Sequence, residues 1–266
     1  MPKFRISIYF QYFLQFLKAR LGYKADFITS IVASIFTSVT GILFVFFLLD
    51  GEQIKDLGGW KREEVFFIYG YSFMATALFS VLSPNLYQFG DKYIIQGQFD
   101  RVLLRPLNTL AQVLFESFNI ESIGNLIVGL FLIHYSVAAL NLEFSMLDYL
   151  WLLVSALSGA VILLSVFVTV ASLSFHFEDR LGVSAPVYNL INFGRYPLPI
   201  FNKPIQFILS WIIPFGFVAF YPATHFFARK GFETLCYMTP LIAVTFSLIA
   251  LVSWNYGVSK YASTGS

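Results

Sequence analysis

Residues Tyr149 to Phe177 read YLWLLVSALSGAVILLSVFVTVASLSFHF, twenty-nine positions without an Asp, Glu, Lys or Arg. A hydrocarbon core about 30 Å thick is crossed by about 20 residues of helix, so this stretch is long enough to span a bilayer. Five others share its character: Phe27 to Leu49, Val65 to Gly90, Ser122 to Leu142, Pro204 to Ala228 and Thr234 to Ser259. Glycine and proline inside them do not forbid the reading, because neighbouring helices can satisfy freed backbone groups at depth. The fifth is the least regular: Pro214 and Pro222, eight residues apart, are expected to break its helix. The expected fold is therefore an all-α polytopic membrane protein, one domain over residues 1–266, with six transmembrane helices.

Composition agrees. Hydrophobic residues fill 58% of the 266 positions and charged residues only 12%, more apolar surface than a water-soluble domain can hide. The formal charge of +2 lacks the clustered Lys and Arg that phosphate backbones require, so nucleic acid is not an expected partner. Cys236 has no second cysteine to pair with, and no Cys/His spacing suits a metal.

Residues 1–26 carry Lys3 and Arg5 before an apolar run, but Lys18, Ala19 and Arg20 stand where a signal peptide would place its cleavage site. Phe10, Phe13, Leu14, Leu17 and Leu21 fall at helical spacing between cationic ends, which suits an amphipathic helix lying in the headgroup layer. A short first turn that continues into the first span is the alternative.

Six spans put both termini on one side. Assigning the loops accordingly, with Arg180, Arg195 and Lys203 in the loop between the fourth and fifth spans, leaves twelve of the 17 Lys and Arg residues on the terminal side and five on the other. The cytoplasmic excess of basic residues then makes both termini cytoplasmic. Asn141 to Asp148 is a mere turn, whereas residues 91–121 form a long cytoplasmic segment where function is expected.

Within that segment, Gly97-Gln98-Phe99-Asp100-Arg101-Val102-Leu103-Leu104-Arg105-Pro106 places a turn of apolar residues between charges and ends on a proline. Taken alone it is a solvated loop helix at the membrane surface. At these residues the sequence resembles the permease family of type-2 ATP-binding-cassette (ABC-2) exporters. Two further patches resemble the same family: Phe193-Gly194-Arg195-Tyr196-Pro197-Leu198-Pro199-Ile200-Phe201, and Ile213-Pro214-Phe215-Gly216-Phe217 followed by Tyr221-Pro222-Ala223. The resemblance covers nearly the whole chain. It implies a non-catalytic membrane subunit of an exporter in the plasma membrane of a bacterium, with ATP and Mg held by a separate ATPase subunit. It also implies a second permease, a hydrophobic or amphipathic cargo, and a re-entrant external segment, Pro222 to Glu233, before the last span. Phe99, Asp100, Arg101, Arg105 and Pro106 would form a coupling helix, with Phe99 as the apolar knob entering the ATPase.

Ser30, Ser34, Ser38 and Gly41 flatten one face of the first span. Such faces let helices approach closely in lipid, either within one subunit or against a second permease. Arg105, Asn108, Gln112, Glu116 and Asn119 recur at helical spacing, as a water-facing helix or as the lining of a cytoplasmic mouth. His134 lies mid-span, where an ionisable group suggests function, although a neutral imidazole bonded to a neighbouring helix would also serve. Glu116, His134, Pro214, Phe215 and Pro222 are thus candidate members of a translocation path.

No Gly-x-x-x-x-Gly-Lys-Ser/Thr loop is present, so the chain cannot cradle ATP by that device. Two other classes remain in view. An ion-driven secondary transporter should show internal repeats and buried ionisable groups. A lipid-modifying enzyme would need His134, His176 and His225 to converge.

Overall fold

The structure is a computed structural model that describes residues 6–50, 59–177, 184–227, 229 and 231–262. Lys3, Arg5, the 51–58 connection, residues 178–183 and residues 263–266 lie outside the described residues. Among the described residues the chain is all-helical, without strands.

Helix α1, Ile6–Gly22, is followed after Tyr23 by α2, Lys24–Asp50. Helix α3, Arg62–Leu82, begins where the Glu64 carboxylate accepts from the Lys61 backbone N–H at 2.8 Å, satisfying an orphan donor of the helix end. Short pieces follow: α4, Pro84–Tyr87, a π-helical stretch Phe89–Ile95, α5, Phe99–Leu103, and α6, Thr109–Phe115. Two long helices come next, α7, Ile123–Ala139, and α8, Met146–Phe177. After α9, Ser184–Leu190, and 3-10 turns at Ile191–Arg195 and Leu198–Ile200, the chain forms α10, Lys203–Phe207, which runs into a π stretch at Ile208–Ile212. A 3-10 turn at Phe215–Phe217 leads to α11, Phe220–Thr224, and finally α12, Thr239–Lys260.

Five of these helices are long and apolar enough to cross a membrane: α2, α3, α7, α8 and α12. The stretch Pro204 to Ala228, expected as a sixth, is not one continuous helix. Pro214 offers no N–H, and the chain breaks there, with the Phe215 N–H turning back to the Ile213 carbonyl at 2.5 Å. Pro222 does not break anything. It lies in the first turn of α11, where the amide it lacks would have no intrahelical acceptor.

Helix α8 is the hub, packed between α3 and α12, while α7 bridges α3 to α2. Helices α3 and α7 touch backbone to backbone: a Cβ on Gly70 would lie 2.7 Å from the Gly129 carbonyl oxygen, the close approach that small residues permit in lipid. One end of the bundle gathers α1, α5, α6 and the end of α12, with the Phe99 and Tyr261 rings 5.0 Å apart. At the opposite end Arg229 bonds Glu64, His225 bonds Asp148, and the Phe226 and Phe227 rings pack on Phe67 at 5.2 and 5.1 Å.

Candidate functional site

At the α1 end, Gly97 takes φ 68°, a left-handed turn that frees the chain to start α5. Phe99 and Val102, three residues apart, share one face of α5 and are buried. Phe99 has 0% exposure; its ring meets Phe175 at 5.0 Å, Phe89 at 5.9 Å and Trp254 at 6.2 Å, as well as Tyr261. Phe99 is therefore not the knob expected from the sequence, because a side chain enclosed by its own subunit cannot enter another. It fastens α5 to the feet of α8 and α12. Leu104, at 85% exposure, lies on the opposite side, flanked by exposed Arg101, Leu103, Arg105 and Pro106.

The tip is clamped from behind. Glu116 accepts from Lys92 at 3.3 Å, from Arg101 at 3.2 Å and from the Tyr93 hydroxyl. Burial favours its neutral form, but the Tyr93 bond and the two cations outweigh that and hold its carboxyl below the ordinary carboxylate range. The Gln112 side chain is buried and donates to the Val102 and Leu107 carbonyls at 3.0 and 3.2 Å. Asn108 caps α6 by accepting from the Ala111 N–H at 2.9 Å. Of the polar line, Gln112 and Glu116 thus tie α6 to the tip, while Arg105 and Asn108 stay exposed. Asp100 acts on the Tyr261 hydroxyl, which burial and this carboxylate push up to about 12.

Helix α1 completes the arrangement. Arg105 donates to the Tyr12 hydroxyl at 3.2 Å, Tyr9 packs on Phe115 at 5.2 Å, and Phe13 and Phe16 both pack on Phe118. Arg20 pairs with Glu121 at 3.0 Å. The amphipathic helix and the tip are one unit.

The other expected site residues are dispersed. Ser34 and Ser38 donate to Asn125 of α7 at 3.1 and 2.5 Å, and Ser38 is buried, so their face is filled within the subunit. They do not form a permease-dimer face. Ser30 lines a cavity beside Phe16 and Glu121. Gly41 is exposed, in the row it shares with exposed Ala33 and Thr37 beside the serines. His134 points outward from α7. Pro214, Phe215 and Pro222 are buried in the core, with Phe215 against Gly194. They line no open path in this chain. His176 stacks on Tyr256, and His225 is held by Asp148 and Tyr237, each at 2.8 Å. The three histidines do not converge.

Leu104 and Asn125 escaped the sequence reading. The signal for Leu104 was its offset of two from Val102, which puts it on the opposite face of the short helix. Arg195, assigned to a cytoplasmic loop by the charge count, lies instead against Tyr69 and Phe73 of α3.

Five helices are thus long and apolar enough to cross a membrane, and one end of their bundle carries an exposed, charge-flanked tip. The family model described as ABC-2 family transporter protein matches residues 36–265, and the chain belongs to that family. It is a transmembrane, non-catalytic component, and permeases of this family generally pair with ATPase subunits. No curated protein and no solved structure matches the chain.

Proposed function

We propose that this chain is the permease of an ATP-driven exporter and that its α5 tip, from Arg101 to Arg105, docks into a separate ATP-binding-cassette ATPase holding ATP and Mg. The observation that carries this reading is the division of α5 into two faces. Phe99 and Val102 root it in the bundle, and Leu104 projects between Arg101 and Arg105. An apolar anchor within a charged ring is the usual anatomy of a protein contact, and truncating it typically costs about 2 kcal/mol or more. Because the root reaches α8 and α12, movement of the tip would be transmitted to the spans.

The broken 203–224 stretch serves as a sixth crossing, and residues 222–233 re-enter the outer end of the bundle through Phe226 and Phe227. Both termini then face the cytoplasm, as the basic residues of the tip and of α1 favour. External labelling of a cysteine placed at Gln98 in intact cells would reverse this orientation. A second permease meets the exposed Ala33, Thr37 and Gly41 face of α2, and a hydrophobic or amphipathic cargo moves outward between the two.

The test is ATP hydrolysis. The purified chain alone should hydrolyse no ATP above background, and the complex with its ATPase should do so. Robust hydrolysis by the chain alone would remove the permease assignment.

A further inference from the structure

Arg195 ends the 3-10 turn that follows α9, and its guanidinium lies 5.0 Å from the Phe73 ring centroid and 5.8 Å from that of Tyr69. At 1.5 Å per helical residue those rings are about 16 and about 10 Å from the Arg62 end of α3. The charge therefore sits near mid-span, where the hydrocarbon core tolerates it least. Among the described residues no carboxylate pairs with it, and its Nε is buried without a hydrogen-bond partner. The Tyr69 hydroxyl, which the guanidinium also approaches, donates to the Tyr196 hydroxyl at 3.2 Å. Aromatic faces attract a cation but do not neutralise it. Arg195's chain neighbours Phe193 and Tyr196, with Asn192, Ile200 and Phe201, line a recess of about 290 Å³.

We propose that Arg195 and this recess form a cargo site for anionic amphiphiles. The guanidinium takes a phosphate or carboxylate head group, and the recess takes the start of the apolar tail. The proposal rests on reading the chain as an exporter and narrows its cargo class. A planar guanidinium fork matches either anion bidentately, and the recess offers aromatic and aliphatic walls. A purely neutral cargo would leave a mid-span cation without its counter-charge, whereas an anionic head group supplies that charge each time the site fills.

The full-length chain with its ATPase, in nanodiscs of phosphatidylcholine alone, is titrated with fluorescent lysophosphatidate and with a monoacylglycerol of the same chain. Inorganic phosphate is added as competitor. Wild type should bind the anionic probe about tenfold or more tighter than the neutral one. Arg195→Gln should abolish that preference and spare neutral binding, and Arg195→Lys should keep part of it. Ile200→Trp, which fills the recess from an exposed position, should weaken both probes.

Four results would overturn the proposal: no preference in wild type, an undiminished preference in Arg195→Gln, unchanged binding in Ile200→Trp, or displacement by phosphate as effective as by the amphiphile. Dissociation of paired permeases by Arg195→Gln without a change in probe preference would assign the charge to a partner's carboxylate and also overturn it. If Arg195→Gln fails to fold, loss of the entire preference in a folded Arg195→Lys counts against the proposal equally. ATP hydrolysis is read in the same preparation, so an active complex without anion preference leaves the exporter reading standing and removes only this one.

Discussion

Glu116 holds the α5 tip through one carboxylate shared by Lys92, Arg101 and Tyr93. Its pKa is depressed in the folded chain, so its contribution is present above the unfolded carboxylate value of about 4.3 and is lost as pH falls through the folded value. Each part-exposed pair contributes about 1 kcal/mol or less, so the expected effect is local loosening. Hydrogen-exchange protection of residues 97–105, relative to the intrinsic exchange rate at each pH, should fall as the pH is lowered through that window. Glu116→Gln should be weakly protected throughout, and an identical pH profile of protection for the two would contradict the clamp. At this scale the sequence was legible in kind and not in direction. Phe99, Asp100 and Arg101 marked an amphipathic element, but a helix of five residues turns barely once and has apolar side chains on both faces. Which face meets the bundle depends on Phe89, Phe175 and Trp254, brought together by tertiary packing from far along the chain.

Helices α2, α3, α7, α8 and α12 could be read directly, because twenty charge-free residues have few stable alternatives in lipid. The sequence also marked Pro214 and Pro222 as interruptions, and only Pro214 is one. A proline's effect depends on its position within a helical turn, and the restart at Phe220 was invisible from spacing. The small-residue face of α2 was recognisable, but its partner was not: Asn125 fills it from α7, a polar residue whose role appears only when the helices meet. Gly70 and Gly129 mark the tighter contact. A Cβ at Gly70 would collide with backbone, whereas one at Gly41 meets nothing within 4 Å. Overpacking of the first kind typically costs about 1–3 kcal/mol. Gly70→Ala should therefore lower the detergent-solubilised Tm clearly and Gly41→Ala should not. Equal shifts would refute the α3–α7 packing. If a second permease covers the α2 face, Gly41→Leu should also reduce permease–permease crosslinking without affecting the Tm.

Across the whole molecule, charge and hydropathy were enough to indicate a membrane protein, and the order of three motifs pointed to the ABC-2 family that residues 36–265 match. Arg195 shows where counting fails. A charge in a sequence loop was assigned to the aqueous side, but the loop folds back against α3. The proposed function depends on a tip rooted in the bundle and open to a partner. The direct measurement is copurification of the ATPase with the tagged permease carrying Leu104→Asp, with Phe99→Ala as the contrast. Leu104 touches solvent, so Leu104→Asp should insert and melt like wild type while retaining at least about tenfold less ATPase, near 1.4 kcal/mol of lost binding. Phe99→Ala should lose about 3–5 kcal/mol of stability instead. Full retention of the ATPase by a normally folded Leu104→Asp chain would contradict the account.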